Sequence, residues 1–166
     1  MDNVIFCCSH VFSNIVSIIL RSSILLIFLQ QYAFSEIVFE ENLDFGTFSI
    51  VNNTNVSSLT VTRYGQSFSS NSLRIITPGE PAILKFINYP AFTTLYLNPI
   101  TPATGRVQSG NSAEFILTEL DIPASVTTNG AGEASMLLGG TIESSGTGQS
   151  YLDTDFIFSI RFTINY

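Results

Sequence analysis

From Phe156 to Tyr166 the chain alternates without a slip. Phe156, Phe158, Ile160, Phe162, Ile164 and Tyr166 fall on one side, and Ile157, Ser159, Arg161, Thr163 and Asn165 on the other. Successive side chains of an extended chain point to opposite faces, so this segment has one wholly apolar face and one mostly polar face. That is the pattern of a long strand lying on a core with its back to water, and it commits the chain to a fold built of sheets.

The preceding residues agree. Short runs rich in β-branched and aromatic residues cover 37–39, 43–50, 56–62, 73–76, 82–87, 93–97, 113–120 and 134–142, with Gly, Pro, Asn and Ser between them. A sustained i, i+3, i+4 apolar pattern with caps is absent. Both faces of 82–87 carry apolar side chains, which suggests a strand covered on two sides or one at a sheet edge. Pro-, Gly-, Ser-, Thr- and Asn-rich stretches at 98–112 and 123–133 are expected as surface loops. No repeat or linker marks a second domain, so 36–166 reads as one all-β, sandwich-like domain. It is long enough to bury a core without disulfides or metal.

Residues 1–35 differ sharply. Arg21 precedes the apolar run Ile24–Leu29, and small residues follow at Ala33 and Ser35. A positive charge, a short apolar stretch and a small-residue cut site describe a secretory signal, expected as a helical segment removed after Ser35. The alternative is a retained anchor over 11–29. A span needs about 20 mostly apolar residues, and Arg21 and four serines interrupt this one. The protein is therefore expected to be exported, to the periplasm, the outer surface or the extracellular space.

Chemistry is sparse after the leader. Cys7, Cys8 and His10 are the only residues of their types, and all precede residue 36. A nucleophile–histidine pair and a zinc site of His and Cys are thus excluded from 36–166, and no phosphate-cradling glycine motif is present. Glu40, Glu41, Asp44, Glu114, Glu119, Asp121, Asp153 and Asp155 show no spacing that selects a glycosidase pair. Asp153-Thr-Asp155 supplies a minority of the six to eight oxygens calcium takes. Lys85, the one lysine, lies in an apolar run and reads as a snorkelling or edge residue. Asn52 and Asn55 fit the N-x-S/T acceptor pattern, which a chain rich in Asn, Ser and Thr produces by chance. No catalytic residue, metal site or cofactor is assigned, and the protein is expected not to be an enzyme. Residues 36–166 hold five basic and twelve acidic side chains. Nucleic acid, which is bound through Lys and Arg, is excluded as a partner.

Three ordered features carry a resemblance. Leu43-Asp-Phe-Gly46 lies near the start of the mature region, Gly139-Gly-Thr-Ile142 follows a loop of small residues, and Tyr151 precedes the closing Phe162-Thr-Ile-Asn-Tyr166. In this order the chain resembles an uncharacterised family of exported bacterial proteins regarded as fimbria-like. Its members open on L-x-F-G and end on a V-x-V-x-Y-like strand. The family usually places Gly beside the Tyr, whereas Gln149-Ser-Tyr-Leu-Asp153 has none. The resemblance implies an immunoglobulin-like, pilin-like sandwich and brings no catalytic residues.

The expected function is that of a cell-surface structural or adhesive subunit that assembles with itself or with other surface proteins through strands. An extended segment can complete another subunit's sheet by main-chain hydrogen bonds and alternating pockets. Ile37, Phe39, Glu41, Leu43 and Phe45 are spaced for one face of such a segment, and equally for the first strand of the sandwich itself. Two other readings stand beside it. The aromatic-ended alternation of 156–166 also suits a small outer-membrane β-barrel. A secreted glycan- or protein-binding module would use loop aromatics such as Tyr64, Tyr89, Tyr96 and Tyr151.

Overall fold

The computed structural model describes residues 34–104, 106–107 and 113–166. The expected signal segment therefore lies, but for its last two residues, outside the described residues. Fourteen strands and no helix occur among them: β1 (Glu36–Glu41), β2 (Thr47–Ile50), β3 (Ser58–Val61), β4 (Ser67–Ser69), β5 (Leu73–Thr77), β6 (Ala82–Ile87), β7 (Thr94–Pro99), β8 (Ala103–Thr104), β9 (Arg106–Val107), β10 (Ile116–Asp121), β11 (Ser125–Thr127), β12 (Ala134–Glu143), β13 (Phe156–Ile157) and β14 (Phe162–Asn165). Every pairing between them is antiparallel.

One layer is a seven-stranded sheet in the order β1-β6-β12-β10-β8, with β3 and β4 joined to it through β12. β12 is its spine. Ala134–Leu138 pair with β6, and Gly140–Glu143 pair with β3. The partner changes at Gly139, where a side chain would collide with the backbone of Val61, Thr62 and Arg63. Only glycine lets β3 lie that close. The other layer comes in pieces: β11-β7-β14, β13-β9 and β2-β5.

The alternation predicted from sequence sets what lies between the layers. Ala82, Leu84 and Phe86 of β6, Met136, Leu138 and Ile142 of β12, Leu59 of β3 and Leu117 of β10 are buried. They meet Leu73 of β5 and Leu95 and Leu97 of β7 in one cluster. Burying a side chain of this size contributes roughly 1.5–3 kcal/mol, so this cluster dominates stability. Residues 35–166 form one compact unit, all-β and sandwich-like.

Three expectations need correction. The C-terminal strand is not continuous, since Phe158–Arg161 lie between β13 and β14. β14 pairs with β7, ending at Pro99, and β13 pairs with β9 beyond Pro102. Proline offers no N–H to a ladder; the Ile100 N–H still donates to the Arg161 carbonyl at 2.9 Å, and the regular ladder is interrupted beyond it while the in–out alternation of 156–165 persists. Its apolar face from Phe156 to Ile164 packs half-buried against the core, but Tyr166, expected on the same face, is 64% exposed. The stretches 98–112 and 123–133, expected as loops, contribute β8, β9 and β11. These are short pieces whose partners, rather than their own pattern, make them strands.

Candidate functional site: an open groove between β2 and the C-terminal segment

The broken layer leaves a gap. β2 pairs with β5, and β13 pairs with β9, so among the described residues each has one ladder partner. Between 42–50 and 151–160 runs an open groove of about 1120 Å³. Its base includes Leu117 of β10 and Ile142 of β12, both core residues of the seven-stranded sheet. Leu43, Phe45, Phe48 and Ile50 line one side. Tyr151, Phe156, Phe158 and Ile160 line the other. Phe45 and Phe158 meet edge-on across it with centroids 5.9 Å apart.

Each wall is held from behind. Phe48 stands against Phe115 at 5.2 Å and nearly perpendicular, and Phe156 does the same at 5.0 Å. Tyr151 stacks on the same ring at 4.2 Å. Phe115 is 1% exposed and is the common anchor of both sides. Such aromatic pairs contribute about 0.5–1.5 kcal/mol each beyond burial. The Tyr151 hydroxyl donates to the Glu114 carbonyl at 3.1 Å and accepts from the Ser145 N–H at 2.9 Å. That fixes where the C-terminal segment starts.

The turn leading to Tyr151 is organised by Asn53, which is 7% exposed. Its amide donates to Ser145 Oγ at 2.9 Å and to the Gln149 carbonyl at 2.8 Å, while its Oδ1 accepts from the Gly146 N–H at 3.0 Å. The Ser144 hydroxyl accepts from the buried Ser57 N–H at 2.9 Å, and their backbones bond in return at 2.8 Å. Buried polar groups need such partners, and no described buried side-chain N or O lacks one.

The rim is polar and acidic. Asn42, Asp44, Thr47, Ser49, Asp153, Thr154 and Asp155 line it, and no basic side chain joins them among the described lining residues. Asp44 Oδ1 accepts from the Gly46 N–H at 2.8 Å, which shapes the turn into β2. Among the described residues no three His, Cys, Asp or Glu side chains gather as metal ligands.

The residues expected to serve assembly are divided by the fold. Ile37 and Phe39 lie on β1, opposite Phe86 and Leu84 of β6, as the chain's own first strand at the sheet edge. A bulge between Phe39 and Glu41 shifts the register there. Phe39 also lines the groove, where Leu43, Phe45, Phe156, Phe158 and Ile160 come together. Phe162 and Ile164 lie on β14 against Pro99 and Leu97, and Tyr166 packs on Tyr89 at 5.4 Å. Burial, and secondarily Tyr166, pushes the Tyr89 hydroxyl pKa up.

The four tyrosines weighed as glycan contacts do not act alike. Tyr89 is buried and Tyr151 half-buried against Phe115, whereas Tyr64 and Tyr96 are exposed. The Arg63 guanidinium lies 5.0 Å from the Tyr64 ring and 3.7 Å from Asp121. Lys85 is half-buried on the outer face of β6 between Val38 and Ser135. Phe115 and Asn53 were not singled out from the sequence. The one signal the sequence offers is the aromatic at the third position of the 113–120 run.

Comparison with family models, with curated proteins and with solved structures gave no match to this chain.

Proposed function

We propose that this is an exported, non-catalytic cell-surface subunit, structural or adhesive, with an immunoglobulin-like, pilin-like sandwich that assembles or binds by accepting a strand. The observation that carries the reading is the gap in the second layer. β2 and the 156–160 segment present edges and apolar side chains to a groove over Leu117 and Ile142. Strand addition uses those elements: main-chain groups at a sheet edge, and pockets for every second side chain. The leader-like pattern of 1–35 supports export. An apolar interior favours a sandwich over a lipid-embedded barrel, whose apolar residues face outward.

Fractionation of cells expressing the full chain, followed by N-terminal sequencing, tests the export reading. A product that begins at Glu36 in the periplasmic, surface or secreted fraction is expected. A cytosolic chain that still begins at Met1 overturns it.

A further inference from the structure

We infer that the groove between β2 and 151–160 takes an extended segment of a different protein, apolar at alternate positions and basic at its ends, rather than a strand from a second copy of this chain. The inference rests on the strand-accepting reading and adds the chemistry of the occupant.

Shape sets the first requirement. The C-terminal wall is an alternating segment, Phe156, Phe158 and Ile160, and the facing wall is built from Phe45 and, beyond the Gly46 turn, Phe48 and Ile50 of β2. Once the Phe45–Phe158 contact parts, an extended occupant that alternates with period two places every second side chain among these rings and leaves the rest at the mouth. Charge sets the second. Asp44, Asp153 and Asp155 stand at the groove, with no basic side chain among the described lining residues. The surrounding 36–166 region is itself acidic by twelve to five. Opposite charge on the partner steers encounter and suppresses wrong partners.

The chain's own N-terminal segment fails this requirement. Residues 36–45 carry Glu36, Glu40, Glu41 and Asp44 and no basic residue. Inserted beside Asp153 and Asp155, it would set like charges against each other. Its first half is also already paired with β6.

Binding of short fluorescent peptides to the exported protein, purified from cells expressing the full chain, tests this. One peptide alternates Phe or Ile with Thr and ends in Lys at both termini. A second ends in Glu, and a third is residues 36–45 of this chain. The Lys-ended peptide is expected to bind roughly tenfold tighter than the Glu-ended one at low salt. Both the Asp153→Asn/Asp155→Asn double variant and added salt should narrow that gap. These two carboxylates are exposed, so the double variant tests charge rather than folding. Equal affinity for the first two peptides, or preference for 36–45, overturns the charge inference and leaves strand acceptance standing. Failure of every peptide to bind overturns both.

Discussion

Replacing Asn53 by alanine tests whether that side chain holds the groove's C-terminal wall. The substitution removes three side-chain hydrogen bonds, to Ser145, Gln149 and Gly146, from a residue 7% exposed. A typical intramolecular bond contributes about 1 kcal/mol net, and more where a buried partner is left unsatisfied. The expected loss is therefore ~3 kcal/mol. With a urea m-value of about 1.5 kcal/mol/M for a domain of this size, the unfolding midpoint should fall by roughly 2 M. The same loss lowers the melting temperature by about 10 °C. Asn52→Ala is the control. Asn52 is exposed, and among the described residues its side chain accepts from the local Thr54 N–H at 2.9 Å, so its effect should stay below about 1 kcal/mol. An Asn53→Ala protein within about 0.5 kcal/mol of the parent, or no worse than Asn52→Ala, would refute the assignment of the 144–150 turn to Asn53.

Phe115→Ala removes the ring shared by Phe48, Tyr151 and Phe156. It should cost about 3–5 kcal/mol in urea unfolding, with loss of near-ultraviolet aromatic signal. Gly139→Ala places a methyl against the Val61–Arg63 backbone and should destabilise by at least ~1–3 kcal/mol. Amide exchange should show the damage first along the β3–β12 ladder. Tyr89 ionises less readily folded than unfolded, because burial raises its pKa and Tyr166 adds to the effect. Its contribution is therefore complete below the unfolded-state value of about 10 and is lost as pH rises through the higher folded-state value. Tyr89→Phe should flatten the alkaline limb of the urea-midpoint profile, and an unchanged limb would count against this.

Much of the core was legible because period two is a local property. Ala82, Leu84 and Phe86, and the inward residues from Phe156 to Ile164, sit as their alternation demanded. The gap was not legible, because it depends on which strands pair. Phe45 and Phe158 belong to runs that alternate, yet nothing local says that they meet across more than a hundred residues of chain. Small polar segments are hard to place for a related reason: 125–127 falls inside an expected loop, and 67–69 falls outside every expected run. Ser125–Thr127 and Ser67–Ser69 have little pattern of their own and become strands beside β7 and β3. Asn53 is masked by its neighbours Asn52 and Asn55, which fit the acceptor pattern while Asn53 does not. Its burial follows from the fold of the 144–150 turn, far away in sequence.

Amide hydrogen exchange on the exported protein, alone and with the Lys-ended peptide, probes the open second layer most directly. We expect slow exchange in β6 and β12, fast exchange at 47–50 and 156–160, and marked slowing of those two segments when the peptide is present. Free protein in which 47–50 and 156–160 are already as slow as the centre of the seven-stranded sheet would contradict an open second layer.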